Sequence, residues 1–190
     1  MSSHFFALIS RMRYISRWGL MRNTRTENVQ EHSHMVAVLA HALAVIGKEK
    51  FSGSVDPAEA ALAALYHDAT EIFTGDMPTP VKYKNRQILG AYKEVEASFS
   101  NALLDMLPED LKGDYRPILF PGSEIEATVK AADTLSAYIK CVEEVSAGNG
   151  EFRIAMKQTR KKLEDMRLPQ LQYFMDNFMP SFELTLDELR

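Results

Sequence analysis

The sequence contains one cysteine, Cys141, and no apolar run long enough to cross a bilayer. A single thiol excludes an intrachain disulfide and any zinc site built from several cysteines. A transmembrane helix needs about 20 apolar residues. A signal peptide would carry basic residues before its apolar stretch, whereas here the short run Phe5–Ile9 precedes the arginines. These features predict a soluble cytoplasmic protein with no membrane partner.

The sequence also lacks a large excess of either positive or negative charge. The net charge is −4, from 26 acidic and 22 basic residues, which gives no reason to expect a nucleic-acid polymer as partner. The length of 190 residues and the apolar share of 46% suit one domain with its own core. We therefore expect a single domain over residues 1–190.

Strand-like alternation is short throughout, and glycine and proline are scarce within the periodic segments, which favours helix. Asp56 followed by Pro57 is typical of a helix start, and Ser123 with Glu126 predicts a capping box. Prolines and glycines between residues 108 and 122 predict a loop. The predicted helices span residues 5–15, 31–46, 58–71, 84–106, 123–146, 151–166 and 169–178. The fold class predicted is all-α.

Several polar residues occur where the helical pattern predicts burial. His67 and Asp68 end a helix rich in alanine and leucine, and Asp133 stands within another helix between apolar neighbours. His32 lies in the first turn of a third. A buried charge is costly unless it is paired or binds a metal. Two imidazoles and two carboxylates therefore form a candidate mixed site for a divalent transition metal.

Two further features lie close to these residues in sequence. Glu71 follows Asp68 by three residues, which puts it on the same helix face if the helix continues that far, and such a carboxylate suits proton transfer. Residues 11–26 contain five arginines and no acid. Because guanidinium groups bind phosphate in a bidentate manner, this segment is a candidate phosphate clamp. Trp18, the only tryptophan, adjoins Arg17 and could form a wall against a sugar.

The order of His32, the adjacent His67 and Asp68, and the later Asp133 resembles the HD superfamily of metal-dependent phosphohydrolases. Three blocks, RWGLMRNTRTENVQEHS, YHDATEIFTGDMPTPVKY and VKAADTLSAYIKCVEE, look like those of bacterial HD-domain 5′-deoxynucleotidases of the YfbR type. The resemblance implies a single helical HD-domain bundle and a homodimer. It implies an enzyme that converts deoxyribonucleoside 5′-monophosphates to deoxynucleosides and phosphate, using water activated by a divalent metal ion.

The resemblance also implies a role for each candidate residue. The implied roles are metal ligation by His32, His67, Asp68 and Asp133, acid–base catalysis by Glu71, and substrate binding by Arg17, Trp18 and Asp76. One divalent ion would be held, and imidazole with carboxylate ligands suits Co, Mn, Zn, Ni, Fe or Cu. The remaining histidines of the N-terminal third, His34 among them, are assigned packing or surface roles.

The residues alone leave other interpretations open. His67 and Asp68 could form an ordinary polar helix end, Asp76 a turn aspartate, and Trp18 a core aromatic. At the level of function, one alternative is an HD hydrolase of another phosphorylated nucleotide, a triphosphate or a cyclic species. A second is a non-catalytic nucleotide-binding module in which the metal only stabilises the helices.

Overall fold

The computed structural model of the chain describes residues 2–82 and 84–190. Within these residues the only extended pairing is an isolated antiparallel bridge between Ser16 and Asn28, so the predicted all-α fold is confirmed. None of the described helices is long and apolar enough to span a membrane. The α-helices are α1 (Phe5–Ile9), α2 (Val29–Phe51), α3 (Pro57–Tyr66), α4 (Glu71–Thr74), α5 (Thr79–Lys82), α6 (Arg86–Asp105), α7 (Glu109–Leu119), α8 (Ser123–Ser146), α9 (Arg153–Asp165) and α10 (Pro169–Asn177).

The main core lies between α2, α3, α8, α9 and α10. Leu43 of α2 and Leu135 of α8 are both almost fully buried in it. Helix α3 contributes mainly small side chains, Ala60, Ala63 and Ala64, which are also buried. Small side chains let neighbouring helices approach closely, so α2, α3 and α8 pack directly against one another. Polar residues on these three helices can therefore meet.

A second apolar cluster lies at the C-terminal end of α3. Phe5 and Leu103 are fully buried there, and the rings of Tyr66 and Tyr115 pack against Phe5. Ala69, in the turn after α3, is part of the same cluster. This packing fixes the turn that carries His67.

The helix starts agree only partly with the sequence predictions. The Asp56 side chain caps α3 and Pro57 follows it, as predicted. The predicted capping box at Ser123 is wrong, because the N-cap of α8 is Gly122, which has no side chain to accept a hydrogen bond. Such a box occurs instead at the start of α2, where Asn28 is the N-cap.

The loop predicted between residues 108 and 122 is also wrong, because most of it forms α7. Pro108 is the N-cap, a position that needs no backbone N–H, and Pro117 lies only two residues before the helix ends. Tyr115 of α7 packs its ring against Phe5 in the second cluster. Tertiary packing here outweighs the helix-breaking tendency of proline.

Residues 16–28, which we call the arginine loop, run between the first helical segment and α2. The structure describes the whole loop, and none of its residues is buried. Glu144 of α8, which is 1% exposed, accepts hydrogen bonds from the backbone N–H of Thr24 (2.9 Å) and Arg25 (3.2 Å). Lys140 donates to the carbonyl oxygen of Arg25 at 2.6 Å. Polar contacts, rather than apolar burial, attach this loop to α8.

We expect the contribution of Glu144 to stability to depend on pH. Burial alone would raise its pKa, but hydrogen bonds from Lys140, Thr24 and Asn149 outweigh burial and hold the pKa below its ordinary 4.5. A carboxyl group with a lowered pKa stabilises the folded state above its unfolded-state pKa, and this contribution is lost as pH falls. Glu144→Gln should therefore be less stable than wild type at neutral pH, and the difference should shrink in acid.

Urea unfolding at several values between about pH 7 and pH 3 measures this difference. Glu143→Gln changes an exposed carboxylate on the same helix and should stay close to wild type at every pH. A stability difference between wild type and Glu144→Gln that does not change with pH would contradict the assignment.

Candidate metal centre

Two imidazoles and a carboxylate converge where α2 meets the turn after α3. One ligand atom each from His32, His67 and Asp68 lies within 4.8 Å of the other two. His67 Nε2 is 3.2 Å from Asp68 Oδ2, and His32 Nε2 is 3.7 Å from the same oxygen. Ligand bonds to transition metals are about 2 Å long, so small side-chain movements would let all three contact one ion.

Asp133 of α8 approaches His32 from another side. Its Oδ1 lies 3.0 Å from His32 Nε2, although Asp133 is outside the tightest three-residue group. The Asp133 side chain is 39% exposed, whereas that of His32 is fully buried. Asp133 therefore forms the solvent-facing side of the cluster.

Hydrogen bonds orient both imidazoles. His67 Nδ1 donates to the carbonyl oxygen of Ala64 at 2.7 Å, and His32 Nδ1 lies 3.2 Å from the buried hydroxyl of Ser136. Both rings therefore direct Nε2 into the cluster. Although His67 Nε2 is close to Asp68, it forms no hydrogen bond with acceptable geometry within the described chain. A buried, unpaired Nε2 on a ring held through Nδ1 fits a metal ligand.

The charges in the cluster are strongly coupled. Burial lowers the pKa of His67, but the negative charges of Asp68 and then Asp133 outweigh it and raise the pKa to about 9. Burial would raise the pKa of Asp68, but His67, then His32 and Arg17, hold it well below its usual range. Burial would raise the pKa of Asp133, but a hydrogen bond from His32 and the electrostatic attraction of His32 and His67 together outweigh it and lower the pKa to about 2. Both carboxylates are ionised at neutral pH, the form that binds a cation.

Glu71 does not continue α3, contrary to the sequence prediction. That helix ends at Tyr66, turns follow, and Glu71 begins the separate short helix α4. Its side chain is 7% exposed, and its Oε2 has no hydrogen-bond partner among the described residues. Burial, followed by the charges of Asp68 and Asp76, raises the pKa of Glu71 to about 9. A buried carboxyl group with a raised pKa has the properties of a proton donor.

Arg17 is the member of the arginine-rich segment that reaches the cluster. Its side chain is 11% exposed, and its Nη1 lies 3.3 Å from Asp68 Oδ2. Its Nε lies 3.3 Å from a carboxylate oxygen of Glu27. The exposed arginines of this segment are Arg11, Arg13, Arg22 and Arg25. Of the five arginines in the phosphate clamp predicted for residues 11–26, only Arg17 is therefore kept as a candidate.

Trp18 and Asp76 are in direct contact. Trp18 has a φ of 57°, in the left-handed region that bulky residues rarely adopt, and its backbone N–H donates to Asp76 Oδ2 at 3.2 Å. The indole packs against Phe152 with the ring centroids 5.3 Å apart. The buried indole Nε1 has no partner among residues 2–82 and 84–190. Asp76 thus holds the backbone of the arginine loop beside the cluster.

Ser136, Lys140 and Glu144 were not identified from the sequence, although they lie on the same helix as the predicted ligand Asp133. Asp133, Ser136, Lys140 and Glu144 recur along α8 at spacings of three, four and four residues, which puts them on one face of the helix. We call these four residues the α8 polar stripe. Ser136, Lys140 and Glu144 are buried, and their helical spacing within an apolar helix is the signal that would have found them. His34 is exposed, in line with a surface role.

Solved structures with the same fold support an HD-domain architecture. An HD-domain phosphohydrolase from Listeria innocua superposes with a TM-score of 0.82 at 22% identity, over 96% of this chain and 90% of that one. The cyanophage S-2L HD phosphohydrolase DatZ, solved with dA and one catalytic Zn²⁺ ion, superposes with a TM-score of 0.63 at 21% identity, over 94% and 96%.

Sequence relatives are much closer. A 5′-deoxynucleotidase of Pectobacterium atrosepticum is 53% identical over 98% of this chain and 96% of its own length. One from Vibrio parahaemolyticus is 50% identical, over 98% of both chains. A protein-family model described as 5′-deoxynucleotidase YfbR-like matches residues 4–182. The chain belongs to the 5′-deoxynucleotidase YfbR-like family.

Proposed function

We propose that this chain is an enzyme that hydrolyses deoxyribonucleoside 5′-monophosphates to a deoxynucleoside and inorganic phosphate. The observation that carries the proposal is the cluster of His32, His67, Asp68 and Asp133, with Arg17 beside it. Relatives that are 53% and 50% identical over nearly the full length are named 5′-deoxynucleotidases. A phosphate monoester requires both a cationic site and a proton donor, and this part of the chain contains candidates for each.

In this proposal, one divalent ion is held by two imidazoles and two carboxylates, from His32, His67, Asp68 and Asp133. Mixed nitrogen and oxygen ligands suit Co, Mn, Zn, Ni, Fe or Cu. When bound, the ion supplies positive charge that attracts the phosphate and lowers the pKa of a water and of nearby acids. Ser136 and the carbonyl oxygen of Ala64 keep the two imidazole rings oriented.

Glu71 is proposed as the acid–base residue. Hydrolysis breaks the bond between phosphorus and the 5′-oxygen and joins a water oxygen to phosphorus. The 5′-oxygen must gain a proton as it leaves, and the attacking water must lose one. The carboxyl of Glu71 is buried, and its Oε2 is unpaired within the described residues. It is therefore free to transfer protons, and its raised pKa of about 9 favours the protonated form.

Arg17 and Trp18 are proposed to bind the substrate. The guanidinium of Arg17 can hold two phosphate oxygens, and its contact with Asp68 keeps it next to the cluster. The adjacent Trp18 can form a wall against the sugar, where a 2′-hydroxyl would have to fit. Asp76, which holds the Trp18 backbone, is proposed to belong to the same pocket.

A panel of nucleotides tests the proposed activity. With a divalent ion present, deoxynucleoside 5′-monophosphates should release inorganic phosphate, and ribonucleoside 5′-monophosphates should release much less. A chelator should abolish the release, and adding back Mn, Co, Zn, Ni, Fe or Cu in turn should identify the ions that restore it. Phosphate is measured colorimetrically, and metal content by elemental analysis.

The same panel separates the alternatives. Release of pyrophosphate or tripolyphosphate from nucleoside triphosphates, without phosphate release from monophosphates, would contradict the proposal and favour a triphosphate hydrolase. Opening of a cyclic nucleotide would favour the cyclic alternative. If no nucleotide is turned over while the metal raises the unfolding temperature, the chain would be a metal-stabilised binding module.

Replacing Glu71 by glutamine should remove proton transfer with little change in shape. We expect kcat to fall by roughly 10²–10⁴-fold, the usual contribution of a general acid–base, with metal content unchanged. Steady-state kinetics measure the effect, and Glu94→Gln, an exposed glutamate on α6, serves as the matched control. If Glu71→Gln retained a kcat close to that of wild type, Glu71 would not be the acid–base residue.

We also propose that the protein is a cytoplasmic homodimer. The single cysteine is a free, buried thiol, which suits a reducing compartment. The exposed apolar side chains of Met35, Val38 and Val45 recur at helical spacing on α2, and exposed apolar rows of this kind mark interfaces.

Sedimentation velocity tests the dimer. Wild type should sediment as a dimer at micromolar concentration, and Val38→Asp should shift it to monomer because a charge would be buried in the interface. Ile154→Asp, at an exposed apolar residue of α9, should remain dimeric. A monomeric wild type would contradict the proposed dimer, and a dimeric Val38→Asp variant would contradict the proposed interface.

A further inference from the structure

The arginine loop carries Arg17 and Trp18 but has little apolar material of its own to fold around. None of residues 16–28 is buried, and Trp18 holds a left-handed φ of 57°. A non-glycine residue keeps such a conformation only where its surroundings impose it. Asp76 holds the loop at one end through the backbone N–H of Trp18. The other end must be fixed by different contacts.

Arg22 binds Glu151 through its backbone N–H at 3.2 Å and its Nε at 2.6 Å, and the buried carboxylate of Glu144 supplies three further contacts. Its Oε2 accepts hydrogen bonds from the backbone N–H and the hydroxyl of Thr24, at 2.9 and 2.7 Å. Its Oε1 accepts from the backbone N–H of Arg25 at 3.2 Å. Asn149 donates to Glu144 Oε2 at 2.8 Å and to the carbonyl oxygen of Arg22 at 2.7 Å. The Glu144 side chain thus receives three hydrogen bonds from Thr24 and Arg25 and one from Asn149, which also binds Arg22, so residues 22–25 are tied to the end of α8.

Lys140, one turn earlier on α8, completes the attachment. Its ammonium group pairs with Glu144 and donates to the carbonyl oxygen of Arg25 at 2.6 Å. It also lies 5.9 Å from the centre of the Phe152 ring, on which Trp18 packs. The lysine and glutamate side chains are only 5% and 1% exposed. A buried ion pair of this kind often contributes little net stability. We therefore explain the Lys140–Glu144 pair by the loop residues that it holds in place.

The α8 polar stripe joins these contacts to the candidate metal centre. Asp133 and Ser136, on the same face as Lys140 and Glu144, both contact His32. One helix therefore fixes the metal cluster with its first two stripe residues and the arginine loop with its last two. The distance between the metal cluster and the arginine loop is therefore set by the length of α8 between these two pairs of residues.

We propose that Lys140 and Glu144 are positioning residues that hold the arginine loop so that Arg17 and Trp18 face the metal centre. Their effect on substrate binding passes through the loop, which they contact directly. This inference rests on the proposed function for its kinetic consequence, but not for the conformation of the loop. Losing the pair should weaken substrate binding and sugar selection while leaving metal binding intact.

Glu144→Ala is the first test variant, with the exposed neighbour Glu143→Ala as the matched control. We expect Glu144→Ala to raise the KM for deoxyadenosine 5′-monophosphate by roughly 10- to 100-fold, since a small misplacement of binding groups has effects of this size. Metal content should equal that of wild type, because no proposed ligand lies in the loop. Glu143→Ala should match wild type in KM.

The fluorescence of Trp18 provides a test that does not depend on enzyme turnover. It is the only tryptophan, so its fluorescence reports on the arginine loop alone. Glu144→Ala should make Trp18 at least about twofold more accessible to quenching by acrylamide in the metal-loaded protein, and Glu143→Ala should not, because a buried tether has been removed only in the former.

A double variant, Lys140→Met with Glu144→Leu, separates positioning from plain destabilisation. Replacing a buried ion pair by apolar side chains of similar size is often neutral or stabilising, so unfolding by urea should return toward wild type. The loop would still lack its acceptors, so KM and quenching should remain as in Glu144→Ala. A double variant with wild-type KM and wild-type quenching would overturn the proposal.

The outcomes also distinguish the two proposals. If wild type released no phosphate from any nucleotide, the proposed function would fail, and the quenching of Trp18 would still decide whether Glu144 positions the loop. If wild type turned over normally and Glu144→Ala changed neither KM nor quenching, the positioning role would fail while the proposed function stood.

Discussion

The structure depends on the balance of charge around two carboxylates, Asp68 and Asp133, that packed helices bring together. Unpaired negative charge in this position would be costly. A proton on His67, whose pKa is raised, and the guanidinium of Arg17 supply positive charge beside these carboxylates. A divalent cation would take the place of that proton, because a histidine must be neutral to bind a metal. The proposed metal site is thus a place where the fold already requires cations.

That balance constrains the packing of the helices. The cluster draws residues from α2, from the turn after α3 and from α8, so these elements must hold their relative positions to within a fraction of an ångström. The small alanines of α3 allow the three to pack closely. The second cluster, through Ala69, fixes the turn that carries Asp68. The two apolar clusters therefore fix the backbone positions from which the proposed ligand side chains extend.

Some features of the fold and of the candidate site could be predicted from the sequence, whereas features that depend on nonlocal contacts could not. Asp133 was identifiable because a carboxylate within an apolar helix conflicts with its local pattern. The helix containing Pro117 was missed because its residues disfavour helix locally, and the packing of Tyr115 that stabilises it is nonlocal. The end of α3 before Glu71 depends on the second cluster in the same way. Glu144 read as an ordinary helical residue, because its partners lie about 120 positions earlier in the chain.

Phosphate and sugar place different demands on the site, and the chain meets them with different contacts. Arg17 is held by Asp68 and Glu27, so its position follows the charge balance of the metal cluster. The neighbouring Trp18 is held by Asp76 and by the ring of Phe152, which is linked to α8. The charge balance therefore helps to fix the guanidinium that would bind phosphate, in addition to the loop contacts, whereas the loop contacts alone fix the residue that would face the sugar. Because the contacts around Trp18 lie apart from the proposed metal ligands, selection against a 2′-hydroxyl could change without altering how a metal would be held.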